Sequence, residues 1–288
     1  MESYRDCYDK GRERLKACDV PEADTDAVLL LEYVMGTDRN TLYSHPEMEV
    51  DEETAKEYYS LIEKRGQRIP LQHITHSAPF MGLEFKVTPD TLIPRPDTET
   101  LTEEAMRVMM DGMKILDMCT GSGCILISLL HYSNGCKGVG CDISGAALSV
   151  AKENAFAILG ENSDISFREG NMFETLNEDE KFDIIVSNPP YILGKDIEGL
   201  MPEVKDHDPY NALFGGDDGL DFYRIIAREA PKHLYSDGML LVEIGYNQGS
   251  DVKALFEKEG LKEVTVIKDF GNNDRVVSAR YIADRKQV

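Results

Sequence analysis

The chain has 288 residues, with 31 Lys+Arg against 53 Asp+Glu and a formal net charge of −22. That balance leaves no global basic field to hold a phosphate backbone, so an extended duplex-binding face is excluded and direct nucleic-acid binding is not expected. A hydrophobic content of 42% with 29% charged residues excludes a disordered or fibrous chain and suits one large domain or two moderate ones.

The first twenty residues lack the apolar stretch of a secretory leader, and no apolar run reaches the roughly 18 residues needed to span a bilayer. Six cysteines are too sparse for a disulfide scaffold, so a reducing cytoplasm is the expected location, with no membrane association. Cys119, Cys124, Cys136 and Cys141 cluster, but their five-position gaps miss the knuckle spacing of a thiolate zinc site. No metal is expected there.

Residues 1–75 read as a helical domain. Its blocks are broken at Val20-Pro21 and Gly36, and Ala55, Tyr58, Tyr59, Leu61 and Ile62 follow three- and four-residue steps. Residues 76–93 read as a hairpin connector, with Phe80, Leu83, Phe85 and Val87 around Gly82. Residues 94–288 change to an alternating rhythm. Short apolar runs at 113–118, 137–143, 164–167, 181–188 and 238–245 suit buried parallel strands, and helical stretches at 123–133, 144–158 and 219–233 separate them. Two strands are expected in the tail, around a turn at Gly271–Asp274. The pattern predicts an α/β fold, a doubly wound sheet with helices on both faces.

The strand ending in Asp117-Met118 runs into Cys119-Thr120-Gly121-Ser122-Gly123 and then an apolar helix. Such a turn presents backbone N–H groups to a ligand. The dinucleotide pattern G-x-G-x-x-G fails, because Leu126 stands where the third glycine would allow close pyrophosphate packing. Asp142, at the end of the next strand, is spaced to accept hydrogen bonds from both hydroxyls of an adenosine ribose. The combination resembles the S-adenosyl-L-methionine (SAM) loop of the seven-stranded, Rossmann-like methyltransferases.

Ser187-Asn188-Pro189-Pro190-Tyr191 follows the fourth strand. Two prolines fix the backbone and remove two N–H donors, which leaves the Pro189 carbonyl beside the Asn188 side-chain oxygen. Two acceptors match the two hydrogens of a planar NH2 group, and Tyr191 offers a flat wall against it. An amide or exocyclic amine is a poor nucleophile, so positioning matters more than a strong base. This logic by itself permits an adenine amino group of DNA or RNA as readily as an amide. A third possibility is a module that binds SAM or a partner without turnover.

Further stretches narrow the choice. Leu92-Ile93-Pro94-Arg95-Pro96-Asp97-Thr98-Glu99, the segment from Asp208-Pro209 through Gly215-Gly216 to Arg224, and Glu243-Ile244-Gly245 with Gln248-Gly249 are similar to signatures of the PrmC/HemK release factor glutamine methyltransferases. The resemblance implies a catalytic methyltransferase domain over 94–288, preceded by a helical substrate-recognition domain. It implies SAM as cofactor, and as partner a class I peptide chain release factor methylated on the glutamine of its Gly-Gly-Gln motif. By the same resemblance Asn188, Pro189, Pro190 and Tyr191 hold the glutamine amide, and Asp142 holds the ribose. Thr120 to Gly123 line the methionine side, Asp117, Cys119 and Asn188 also count among the cofactor-binding residues, Asn171 and Met172 face the adenine, and Arg95 and Glu99 order the site. The sequence departs from the family pattern at Cys119 (usually Gly), Asn171 (often an acid), Met172 (often aromatic), His73 (usually Tyr) and Asp208 (usually Glu).

Overall fold

The computed structural model describes residues 1–283. The chain divides into two compact units, Met1–Ser77 with Met201–His207, and Ala78–Leu200 with Asp208–Val288.

In the first unit, strand β1 (Glu2–Ser3) pairs antiparallel with β2 (Glu49–Val50), and helices α1 (Tyr4–Ala17), α2 (Ala23–Met35), α3 (Arg39–Ser44), α4 (Glu52–Gly66) and α5 (Leu71–Thr75) enclose a core of Tyr4, Leu15, Leu30, Leu31, Tyr58 and Ile62. Local signals set the helix ends. Ser3 and Asp6 form a reciprocal capping box on α1, Asp51 caps α4, and α2 stops at Gly36 in the left-handed region. The segment Met201–His207, which contains the short helix α10 (Pro202–Lys205), belongs to this unit through ionic contacts. Buried Arg65 donates to Asp26 at 2.6 Å and to Glu203 at 2.9 Å, and Arg68 donates to both Glu203 oxygens at 2.7 and 2.6 Å. Removing Arg65 would leave two carboxylates in poor solvent. Arg65→Ala is therefore expected to destabilise the helical unit by about 3–5 kcal/mol, read as a lower midpoint in urea denaturation followed by circular dichroism.

In the second unit, β3 (Ser77–Phe80) and β4 (Leu83–Lys86) form the hairpin, followed by α6 (Pro96–Val108). The main sheet is built from β5 (Lys114–Met118), β6 (Lys137–Asp142), β7 (Ile165–Glu169), β8 (Phe182–Ser187), β9 (Leu234–Glu243), β10 (Lys262–Lys268) and β11 (Asp274–Arg280). Helices α7 (Cys124–His131), α8 (Gly145–Leu159), α12 (Asp221–His233) and α13 (Gly249–Lys258) connect and cover it, and α9 (Gly194–Ile197) and α11 (Tyr210–Leu213) punctuate the loop after β8. The strand order is β10-β11-β9-β8-β5-β6-β7; β9 through β7 run parallel and β11 is antiparallel to both neighbours. The expected seven-stranded α/β sheet is present. Apolar clusters lie on both faces, one around Leu116, Ile185, Tyr223 and Phe256, the other around Leu101, Ile115, Leu126 and Val186. Such two-sided burial is why the parallel strands are near-continuous apolar runs.

The order places the reversal of winding between β5 and β8, the position where open α/β sheets bind ligands beyond their carboxyl ends. Met118 and Ser187 are register partners, and the Ser187 hydroxyl donates to the Met118 carbonyl at 2.6 Å. The glycine turn and the Asn-Pro-Pro-Tyr segment therefore start side by side. The hairpin is tied to the same region by Asn154 on α8, which exchanges hydrogen bonds with the Lys86 backbone and donates to the Ser122 carbonyl. Among the described residues no helix is long and apolar enough to cross a membrane.

Candidate active site

A cavity of about 180 Å³ opens at the carboxyl edge of the sheet, walled by the ends of β5 and β6 and by residues that follow β5, β6, β7 and β8. Of the residues singled out in the sequence, Cys119, Gly121, Asp142, Asn171, Met172, Asn188 and Pro190 line it. Thr120 and Ser122 line a smaller adjoining cavity with Arg95, Thr98 and Asn188. Gly123 begins α7 with φ +81°. Asp117 lies beneath the turn, wholly buried, and accepts the Thr120 hydroxyl at 2.6 Å. Tyr191 lies outside the lining, its ring beside Gly245 and its hydroxyl turned toward Glu243 at 3.4 Å.

The turn is preorganised by Asp142, whose two carboxylate oxygens accept the Gly121 and Ser144 backbone N–H groups, each at 2.9 Å. Burial raises its pKa above the ordinary carboxylate value, and those N–H donors oppose the shift. Gly121 has φ +55° and open space where a Cβ would stand, so the chain turns there without filling the cavity. Two non-glycine residues in the wall also sit in the left-handed region, Cys119 at φ +63° and Met172 at φ +49°, and their sulfurs meet at 3.7 Å. Strain of this kind concentrates at functional sites.

Asn188 leaves the sheet with its amide NH2 donating to the buried Thr98 hydroxyl at 3.2 Å. Asn188 lines this cavity and the adjoining one, and its side-chain oxygen keeps its acceptor capacity. Several groups whose motifs the sequence shows, without showing what they touch, brace the site. Gly215 lies against its backbone, where a Cβ would come within 2.5 Å of the Tyr191 Cα and 2.8 Å of the Pro190 carbonyl, so only glycine fits. Gln248 donates to the Tyr191 and Gly219 carbonyls at 3.2 and 3.0 Å and accepts the Gly245 N–H at 2.9 Å. Arg95 pairs with the Asp208 carboxylate at 2.6 Å, and Glu99 accepts the Met81 N–H at 2.6 Å in the hairpin turn. Ile143, 61% exposed, offers an apolar face directly after Asp142, and Asn211, Ala212 and Phe222 complete the far wall. The motifs containing these glycines and Gln248 were visible in the sequence, but no local pattern shows which backbone they brace.

Two buried acids give the unit an unusual pH dependence. Burial pushes Asp117 up to about 7, opposed by the Thr120 hydrogen bond, and pushes Glu243 up to about 7 against Thr98 and Arg275. An acid whose folded value is raised binds more protons folded than unfolded, so it contributes stability that is lost as pH rises from about 4 through 7. Hydrogen bonds from Arg168 and Lys114 outweigh burial at Glu180 and hold it down at about 2, so its contribution is present above about 4.3 and is lost only as pH falls toward 2. The melting temperature is expected to be higher at pH 5.5 than at pH 8 and to fall below pH 4, measured by calorimetry across that range. A maximum at or above pH 8 would contradict these assignments.

A parallel sheet with this winding, a glycine turn braced by an acid on the neighbouring strand, and a ligand-sized cleft at the reversal point define a SAM-dependent methyltransferase. Residues 98–203 match the methyltransferase small domain family, and residues 6–75 match the PrmC N-terminal domain family. A methyltransferase of Pyrococcus furiosus shares the fold at a TM-score of 0.54 and 19% identity, covering 71% of this chain and 91% of that one. The release factor glutamine methyltransferase of Clostridium acetobutylicum is 40% identical over 257 residues, 88% of this chain and 90% of its own. That of Geobacter sulfurreducens is 39% identical over 278 residues, 96% of each. The chain belongs to the release factor glutamine methyltransferase family.

Proposed function

We propose that this enzyme transfers a methyl group from SAM to the side-chain amide nitrogen of the glutamine in the Gly-Gly-Gln motif of class I peptide chain release factors. The observation that carries the reading is the Asn188 amide, tied by its NH2 to Thr98, so that an acceptor oxygen faces a cavity shared with Asp142. An oxygen so placed takes one hydrogen of a planar NH2, and the rigid Pro189-Pro190 backbone beside it is the source of the second acceptor. Held by both hydrogens, the nitrogen presents its lone pair in one direction.

The residues fit SAM. Asp142, already held by two backbone N–H groups, has acceptor capacity left for a ribose diol, and Ile143 and Met172 supply apolar surface for a planar base. Asn171, with its amide NH2 near Glu174 at 3.3 Å, offers a polar edge to the adenine. Cys119 to Gly123 surround the remainder, with Asp117 as the buried support of the turn. When bound, the cofactor supplies an electrophilic methyl group. The protein's part is to aim the amide nitrogen and exclude water.

In this reading residues 1–75 are a substrate-recognition domain, 76–93 a connector and 94–288 the catalytic domain. The enzyme works in the cytoplasm, and the acidic chain binds no nucleic acid directly. Labelled SAM incubated with a class I release factor, with its Gln→Ala variant and with DNA should mark the unaltered release factor alone. Label in DNA, or persisting on the variant, would overturn the assignment.

A further inference from the structure

Gln248 stands between β9 and α13, 5% exposed, at the position where a helix usually carries a capping side chain. Its own side chain caps nothing there. All of its hydrogen-bonding capacity is used elsewhere. Oε1 accepts the Gly245 N–H at 2.9 Å, and Nε2 donates to the Gly219 carbonyl at 3.0 Å and to the Tyr191 carbonyl at 3.2 Å. An amide nitrogen carries two hydrogens, so each carbonyl takes one. The three partners lie after β9, in the turn before α12 and in the loop after β8, so one buried amide joins three segments. The junction is tight. At Gly219, with φ +73°, a Cβ would come within 2.6 Å of the Tyr191 carbonyl oxygen and 2.7 Å of Nε2.

The Tyr191 carbonyl matters because of what precedes it. Upstream, the segment is fixed by the Ser187 hydroxyl on Met118 and by Asn188 on Thr98. Downstream, it is fixed by Gln248 on Tyr191 and by Ile192, whose N–H donates to Leu213 and whose carbonyl accepts from Gly215, each at 2.9 Å. Between these ends stand Pro189 and Pro190, whose rings lock φ. A peptide plane ordinarily turns by opposite rotations about the ψ before it and the φ after it, which leaves the rest of the chain in place. With φ of Pro190 locked that compensation is lost, and the Pro189 carbonyl cannot turn without carrying Tyr191 with it. We propose that Gln248 is a positioning residue for methyl transfer: by holding the Tyr191 carbonyl it fixes the direction of the Pro189 carbonyl, the second acceptor for the substrate NH2. The proposal rests on the role assigned to the Asn-Pro-Pro-Tyr segment above. The cofactor side is independent of it, since Gln248 follows β9 on one side of β8 while Asp142 ends β6 on the other.

Gln248→Met tests it, because methionine keeps the length of the side chain and removes all three hydrogen bonds. The turnover number is expected to fall about 10- to 100-fold, the scale of a misplaced reacting group, with the dissociation constant for SAM unchanged within about twofold. Gln248→Glu keeps an acceptor for Gly245 and gives up the paired N–H groups, so it should lose turnover to a similar degree, and it decides the matter if the methionine variant does not fold. Val252→Ala removes buried side-chain volume from α13 without touching these bonds, and should leave turnover within about twofold. In wild-type protein labelled with ¹⁵N-glutamine, both Gln248 side-chain amide protons should exchange slowly with solvent. In protein labelled with ¹⁵N-isoleucine, the Ile192 amide, which shares a peptide group with the Tyr191 carbonyl, should shift on substitution of Gln248. Full turnover in a folded Gln248 variant, an equal loss in Val252→Ala, or rapid exchange of either Gln248 proton would overturn the proposal. Absence of transfer by the wild-type enzyme would instead refute the substrate assignment, and the Ile192 shift would still decide whether Gln248 holds Tyr191.

Discussion

Asn188→Ala is expected to lower methyl transfer to the release factor by about 10²–10³-fold, the usual consequence of removing one preorganised polar group from a transition state. The dissociation constant for SAM should stay within a few-fold. The separation follows from the geometry, because the ribose acceptor is Asp142 on β6 and the amide acceptor is Asn188 beyond β8, on opposite sides of β5. Alanine deletes the cavity-facing oxygen while Pro189, Pro190 and the Ser187–Met118 bond still hold the backbone. The Thr98 hydroxyl loses one hydrogen-bond donor, so the fold should persist. Single-turnover kinetics with labelled SAM, together with calorimetric titration of SAM into the variant, checks both halves. Loss of SAM binding in a folded Asn188→Ala protein would show that the residue serves the cofactor, and a retained rate would remove it from the amide site.

Asp142→Ala should do the reverse, weakening SAM binding by about 10²–10⁴-fold. Two hydrogen bonds to a charged acceptor are worth about 1.5–3 kcal/mol each, and about 1.4 kcal/mol corresponds to one decade of affinity. The variant also strips the Gly121 and Ser144 N–H groups of their acceptor, which loosens the turn before any ligand arrives. In the wild type the raised pKa of Asp142 gives a second signature, since SAM affinity should begin to fall with decreasing pH sooner than for a solvated aspartate. Isothermal titration at several pH values measures both effects. Affinity within twofold of wild type in Asp142→Ala would place the ribose elsewhere.

Much of the fold was legible because its signals are local. β5, β6 and β8 were predicted within a residue or so, since strands covered on both faces are almost uninterrupted apolar runs. β9 begins at Leu234, ahead of the expected 238, because Tyr235, Ser236 and Asp237 are exposed and polar at the start of the strand and give no apolar signal. Helices α9, α10 and α11 have four residues each, too few to show a period. Nothing local announces that Met201–His207 joins the helical unit, because the ion pairs responsible link Glu203 to Arg65 and Arg68 far back in the chain.

The same division holds at the site. By itself the sequence determined which residue types meet the ligand: a glycine turn, an acid on the next strand, and an acceptor followed by two prolines, each complete within a few consecutive residues. It could not place the Tyr191 ring, which turns away from the cavity lining toward Glu243. Nor could it settle which end of the Asn188 amide faces the cavity. An asparagine side chain is nearly symmetric in shape, and its orientation is set only by the group opposite. Here that group is Thr98, ninety residues away on α6. Only the packing of that helix against the loop after β8 brings the two side chains together, so the polarity of the acceptor was decided by the tertiary structure.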